Sequence, residues 1–210
     1  MINIGVGVEI MTFITSLLLY PKYKHTVLKY FPFYLGFIVF LEIFCMFFYR
    51  VQNVWLFNIL YILEFNFLAF IYWHYFNRFN RKVLLAFLVV FNSVTLVTCV
   101  VGAQNFFVEP IFYTYVLASF SHISLIILLF NQMLRSNTGL EEIFRNLLFW
   151  ICLGLLIFFA TTLPVQTIRS WKETLGEFRH ALFYILFSAV LLKNLLFIFG
   201  FLWSKKIFTY

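Results

Sequence analysis

The sequence predicts an all-α membrane protein, a polytopic transmembrane bundle of seven helices that forms one domain over residues 1–210. Three observations predict this class: 64% of the residues are hydrophobic, only 11% are charged, and the mean hydropathy is +0.97, far above the range of soluble domains. A membrane-spanning helix needs about 20 residues. A chain of 210 residues therefore holds seven spans with short loops and leaves no room for a separate soluble domain.

The apolar runs define the predicted helices in order. The first run contains Glu9 and ends at Pro21, and the second opens at Pro32, where a proline costs little because its missing amide donor would be unpaired anyway. Only the short stretch 50–53 separates the second run from the third, so these two helices are expected to be antiparallel neighbours. The seven runs cover residues 4–20, 31–49, 54–76, 83–101, 111–133, 147–163 and 181–203.

Two further expectations concern the chain after the fifth run. The sixth helix is expected to end at Pro164. The long loop that follows it is expected to form a short interfacial helix between Ile168 and Phe178.

Lysine and arginine are distributed unequally between alternate loops. The first, third and fifth loops and the C-terminal tail hold roughly ten of them, and the N-terminus and the remaining loops hold roughly four. Because basic residues concentrate on the cytoplasmic side, this predicts an external N-terminus and a cytoplasmic C-terminus. The net charge of +7 then belongs to a membrane surface, and no basic patch interleaved with aromatics suggests nucleic-acid binding.

Ionisable residues inside the apolar runs are the candidate functional residues. At 1.5 Å per residue, Glu9, Glu42 and Glu64 fall roughly 8 to 15 Å below the outer surface, in one layer. Lys193 and His122 come out about 17 Å deep, near the midplane. Since an ionisable group in hydrocarbon is costly without a partner, such residues mark functional sites by default.

Two interpretations of this set stay open. In one, Lys193 bridges one glutamate while the others are protonated and hydrogen-bonded, which fixes the helix register. In the other, the set is a polar pocket, open toward the outer face, that binds a ligand, an ion or a proton, with Glu64 and Lys193 as its main groups. His122 taken alone is more often a satisfied buried imidazole. The supporting polar residues are Asn58, Tyr61, Tyr115, Ser119, Ser188 and Asn194.

The sequence contains no motif for catalysis or for a cofactor. It lacks GxSxG, HExxH, a P-loop and any aspartate, and its three cysteines have neither CxxC nor CxxH spacing, so we expect no metal. The histidines offer no depth-matched pair for haem. Lys193 lies where rhodopsins carry their retinal lysine, but the acidic residue expected four positions earlier is Ala189. We therefore expect no cofactor.

Four stretches of the chain are LKYFPFYLGFIVFLEI, FNILYILEFNFLAFIYW, LLFWICLGLLIFFATTLP and LKNLLFIFGFLW. Together they resemble an uncharacterised family of small bacterial seven-helix inner-membrane proteins, some of which are encoded beside histidine kinases. The acidic positions of that family in helices two and three correspond to Glu42 and Glu64. The resemblance implies a location in the bacterial inner membrane, but no activity or ligand.

The leading functional hypothesis is a non-enzymatic membrane sensor or signalling-input module. Glu42, Glu64 and Lys193 would form a buried switch that a separate membrane or cytoplasmic signalling protein reads. A small proton-coupled transporter would use the same carboxyls, although the chain has neither repeats nor helices broken at midspan. An accessory subunit of a larger complex is a third alternative, and a homo-oligomer is possible. A lipid-modifying enzyme ranks last, since no nucleophile, base or metal constellation is present.

Overall fold

The protein is helical throughout the part of the chain that the structure describes, and no strand occurs there. The structure, a computed structural model, describes residues 2–47, 54–101, 105–107, 109–136, 139–170 and 178–205. Its helices are α1 Ile2–Leu18, α2 Tyr20–Tyr23, a 3-10 helix Val27–Tyr30, α3 Phe31–Phe47, α4 Val54–Tyr75, α5 Arg78–Val100, α6 Phe112–Arg135, α7 Leu140–Phe144, α8 Leu147–Ser170 and α9 Phe178–Trp203.

Six helical segments are long and apolar enough to cross a membrane, and the segment Ile4–Leu18 of α1 is a shorter apolar helix. The all-helical class predicted from the sequence is therefore confirmed, and these segments are those of a multi-pass membrane protein. The number of crossings and the direction of each stay predictions. The six long segments are Val27–Phe47, Val54–Tyr75, Arg78–Val100, Phe112–Arg135, Leu147–Ile168 and His180–Trp203.

The start of α5 differs from the predicted boundary. This helix begins at Arg78 and takes in the basic residues that the sequence analysis assigned to a loop. Its first turn is capped by Asn77, whose side chain accepts a hydrogen bond of 2.8 Å from the amide of Asn80. Because such a cap satisfies an otherwise unpaired amide, the helix starts there and not at the first apolar residue.

The sixth apolar run also extends beyond its predicted end. The helix α8 continues through Pro164 to Ser170, so the expected stop at this proline is wrong. Proline removes one backbone hydrogen bond from a helix interior, and the packing of Phe159 and Val165 on either side, both buried, keeps the helix continuous. Most of the predicted interfacial helix, residues 171–177, lies outside the described residues.

The long helices pack side by side in a ring. Helix α1 lies between α3 and α9, α9 packs along α8, α8 along α6, and α6 against α4 and α5. A slighter contact between α3 and α4 completes the ring. Glycines allow the closest approach, between α8 and α9: a Cβ on Gly200 would lie 2.6 Å from Cβ of Trp150, and one on Gly154 would lie 2.9 Å from the Phe197 ring.

One end of the bundle gathers most of the described basic side chains. Two contacts join its parts, since Nζ of Lys22 donates to the carbonyls of Phe201 (3.2 Å) and Leu202 (3.1 Å), and the amide of Lys205 donates to the carbonyl of Arg145 (3.2 Å). We call this the basic end. Its lysines and arginines are Lys22, Lys24, Lys29, Arg78, Arg81, Lys82, Arg135, Arg145 and Lys205.

Candidate functional site

Three glutamates and one lysine from four helices face a common interior region. Glu9 on α1, Glu42 on α3 and Glu64 on α4 each interact electrostatically with Lys193 on α9. Only 5% of Glu9 and 6% of Lys193 is exposed, and Glu42 and Glu64 are half-buried. We call these four residues the Glu/Lys cluster. It contains the three predicted carboxyls and the predicted cation.

The ammonium group of Lys193 is not locked into an ion pair. Its Nζ lies 4.5 Å from the centroid of the Phe158 ring, in a cation–π contact. Within the described part of the chain, no carboxylate oxygen lies within 4.0 Å of it; the close ion pair found there joins Arg145 and Glu141 at 2.5 Å, outside the cluster. The charge of Lys193 therefore acts on three carboxyls at once.

Glu9 and Glu42 form a carboxyl pair. Their side chains lie within hydrogen-bonding reach of each other, and an ionised carboxylate is an acceptor only, so the bond between them requires a proton on one. Oε2 of Glu9 is buried and accepts no hydrogen bond from an N–H or a hydroxyl among the described residues. The pair is thus arranged to hold one proton between two helices.

Glu64 has a different partner. Oε1 of its carboxyl accepts a hydrogen bond from the hydroxyl of Tyr34 on α3, whose ring stacks on Phe67 at 5.1 Å and an interplanar angle of 9°. The sequence analysis expected Glu42 to be the nearest neighbour of Glu64, and this expectation is wrong. The reason is the packing of α1 against α3, which brings Glu9 to Glu42, while α3 and α4 touch only slightly.

Tyr34 is the cluster residue that the sequence analysis missed. The second span was predicted to begin at residue 31, which placed this tyrosine close to a helix end. The helical segment actually begins at Val27, so Tyr34 lies about one turn deeper and reaches the depth of Glu64. A tyrosine among the polar candidates of the second span would have been the signal.

His122 lies beside the cluster and not in it. Its ring is 1% exposed and packs against Phe159, with ring centroids 4.6 Å apart and nearly parallel planes, and against Phe65, at 4.9 Å. Neither ring nitrogen has a hydrogen-bond partner among the described residues. The expectation of a satisfied buried imidazole is therefore wrong for this part of the chain.

Asn58 serves the loop before α6 and not the cluster. Its amide nitrogen donates to the carbonyls of Phe106 (2.7 Å) and Glu109 (2.9 Å), and its carbonyl oxygen accepts from the amide of Ile111 (3.1 Å). These three bonds hold the loop against α4. The residue is buried because it replaces the hydrogen bonds that the loop backbone would otherwise lack.

The remaining predicted polar residues also lie apart from the cluster. Tyr115 on α6 donates a 2.6 Å hydrogen bond to Thr162 on α8, and its ring lies 5.1 Å from that of Tyr61. Asn194 is buried and donates to the carbonyl of Val190 in its own helix, at 2.9 Å. Ser119 is fully buried and Ser188 is exposed. None of these four side chains takes part in the bonds of Glu64 or in the carboxyl pair described above.

Within the ranges that the structure describes, no group of three or more histidine, cysteine, aspartate or glutamate side chains is placed to hold a metal ion. Comparison with protein families, with curated proteins and with solved structures finds no match to this chain. The resemblance to the family of small bacterial seven-helix proteins stays a prediction.

Proposed function

We propose that the protein is a non-enzymatic membrane sensor in which the Glu/Lys cluster binds a proton and a separate signalling partner reads the resulting change in helix packing. One observation carries this proposal: the single ammonium of Lys193 is paired with none of the three carboxyls. A cluster that merely locks the bundle would place Lys193 in a close ion pair with one glutamate, because a buried charge needs such a partner.

The charge balance of the cluster supports a variable proton count. Three ionised carboxylates beside one ammonium leave an excess of negative charge, which a low-dielectric interior disfavours. Each proton gained or lost changes the attraction of Lys193 for Glu9, Glu42 or Glu64, and these lie on three helices. The packing of α1, α3 and α4 around α9 is thereby biased by protonation, which is the requirement for a two-state switch.

The position of the cluster supports a stimulus from the outer side. Glu42 lies near the end of α3 that is opposite the basic end, and it is half-buried. The positive-inside rule assigns the basic end to the cytoplasm, where a signalling partner would bind. The resemblance described above assigns this membrane to the bacterial inner membrane.

Infrared difference spectroscopy of the protein in lipid nanodiscs tests proton binding. Between mildly alkaline and mildly acidic buffer we expect a carboxylic-acid carbonyl band to appear, to be reduced in Glu64→Gln, and to shift in Lys193→Met. The matched control is Glu109→Gln, which changes an exposed carboxyl in the loop before α6. A wild-type spectrum without any buried carboxyl band contradicts the proposal.

A second experiment separates the sensor from a carrier. Proteoliposomes with an imposed pH gradient are assayed for proton flux, with Glu64→Gln as the comparison. The sensor hypothesis predicts no flux above that of empty liposomes. Flux that the variant abolishes would replace the sensor with the proton-coupled transporter, because the same carboxyl would then be a coupling site.

A further inference from the structure

A second group of buried polar atoms lies next to the cluster and has no partners. Both ring nitrogens of His122, Oγ of Ser119 and the hydroxyl of Tyr72 are inaccessible and form no hydrogen bond among the described residues. The three side chains are 1%, 0% and 1% exposed. We call these three residues the His122 site.

The three residues belong to one region between α4, α6 and α8. Ser119 and His122 are three positions apart on α6, so they lie on the same helical face. The ring centroid of His122 lies 6.0 Å from that of Tyr72 on α4 and 4.6 Å from that of Phe159 on α8. The unpartnered atoms are therefore contributed by neighbouring side chains and not by scattered positions.

Unpartnered polar atoms at this depth are costly. An amide, hydroxyl or imidazole that is moved from water to an apolar region without a hydrogen bond loses several kcal/mol in the least favourable case, and lipid offers no replacement partner. In folded proteins such atoms are usually satisfied by ordered water, which makes about three hydrogen bonds to surrounding groups. The His122 site offers the imidazole nitrogens and two hydroxyls, enough partners for such water.

Tyr72 also connects this region with the cluster. Its hydroxyl interacts electrostatically with Glu64 and with the hydroxyl of Tyr34, while its ring meets the edge of His122. Tyr72 thus has the carboxyl cluster on one side and the imidazole on the other. Water bound to its hydroxyl would lie between the two.

We propose that ordered water molecules occupy the His122 site, where they hydrogen-bond to His122, Ser119 and Tyr72, and that through Tyr72 this water continues the hydrogen-bonded network of Glu64 into the bundle. The ligand of the site is water. The link to Glu64 rests on the proposed function, whereas the hydration of His122 does not.

Water-edited solid-state NMR on histidine-labelled protein in liposomes tests the hydration. The chain has four histidines, and His25, His74 and His180 are exposed, so they serve as internal references for rapid magnetisation transfer from water. The dry reference is Leu155, which is 0% exposed. We expect the ring of His122, assigned with His122→Phe, to receive magnetisation nearly as fast as the exposed rings. Transfer as slow as that to Leu155 overturns the proposal.

Two serine variants provide a matched pair that does not depend on removing the imidazole. Ser119→Ala deletes an unpartnered hydroxyl of the site and is expected to slow the transfer to His122 several-fold. Ser121→Ala deletes a buried hydroxyl that already donates to the carbonyl of Leu117 at 2.7 Å, and it should leave the transfer unchanged. Equal transfer rates in wild type and both variants would show that Ser119 binds no water and would contradict its place in the site.

The link to the cluster has its own measurement. Tyr72→Phe removes the hydroxyl between Glu64 and His122, and we expect it to shift the carboxylic-acid band that Glu64→Gln reduces. An unshifted band in Tyr72→Phe would sever the link while leaving the hydration result intact. Rapid water transfer to His122 together with a missing Glu64 band would instead overturn the proposed function alone.

Discussion

The hydroxyl of Tyr34 donates its hydrogen bond to Oε1 of Glu64, across the boundary between α3 and α4. The two helices otherwise touch only slightly, so this bond is a main connection between them. It holds one carboxyl of the Glu/Lys cluster away from the carboxyl pair of Glu9 and Glu42. The division of the cluster into a pair and a separately held carboxyl therefore depends on a single phenol.

Tyr34→Phe should weaken that connection. The variant keeps the ring stacked on Phe67 and removes only the donor, and we expect the free energy of unfolding to fall by about 1 kcal/mol, the usual value of an interhelical hydrogen bond in membranes. Denaturant unfolding in detergent micelles measures it. Tyr113→Phe, at a residue that is 60% exposed, is the control and should change little. Equal stabilities of both variants would contradict the role given to Tyr34.

Asn58→Leu should release the loop before α6. The change removes three hydrogen bonds to Phe106, Glu109 and Ile111, and the expected loss is about 2 kcal/mol because part of the exposed backbone can bind water instead. Hydrogen exchange of this loop should accelerate more than exchange in α4. The control is Asn92→Leu, at an exposed residue whose bond to Asn66 is long at 3.4 Å. Unchanged loop exchange in Asn58→Leu would refute the anchoring role.

Gly200→Ala should separate α8 from α9. Its new Cβ would meet Cβ of Trp150 at 2.6 Å, which is too close for any pair of carbon atoms, and we expect a loss of about 1–3 kcal/mol through overpacking. Gly7→Ala is the matched control, since nothing lies within 4 Å of its added Cβ. Alanine is the better helix former by about 1 kcal/mol, so this control should stabilise the protein. The sign of the two thermal shifts decides the matter.

Tyr23→Phe should change the response to alkali. Tyr23 lies between the first two apolar helices; burial raises the pKa of its phenol, the largest effect, above the ordinary value of 10.0, while its hydroxyl donates to the carbonyl of Ser16. Above that value the unfolded chain loses this proton and the folded chain keeps it, so the free energy of unfolding falls as pH rises. Below it the phenol contributes in full.

The variant lacks this proton, so its free energy of unfolding should fall less steeply with pH on the alkaline side. Unfolding of wild type and Tyr23→Phe is measured over a pH series that crosses 10.0. The control is Tyr113→Phe, at an exposed tyrosine, which should follow the wild type. Parallel curves for wild type and Tyr23→Phe would contradict the prediction.

The grouping of the cluster could be predicted from the sequence, but its pairings could not. Counting residues from the helix ends gives depth, and depth alone placed Glu9, Glu42 and Glu64 in one layer near Lys193. Which carboxyl faces which depends on the rotation of each helix about its axis. In a helix that is apolar all round, the lipid-facing and core-facing residues look alike, so the sequence holds no signal for rotation.

The supporting polar residues illustrate the same limit. Asn58 is buried as its polarity suggested, yet it binds the backbone of a loop more than forty positions away. Ser188 lies at a suitable depth and is exposed. Polarity within an apolar run thus predicts that a residue has a partner or a reason to face outward, and only the packing of the helices decides between them.

The position of α1 between α3 and α9 has a consequence for biosynthesis. Glu9 emerges from the ribosome with the first helix, whereas Lys193, the cation it interacts with, arrives with the last. Throughout synthesis the early helices therefore carry carboxyls without their positive neighbour. Only the insertion of α9 gives the first helix its second flank, so a chain that stalls before α9 should be recognisable to the cell as an unfinished product.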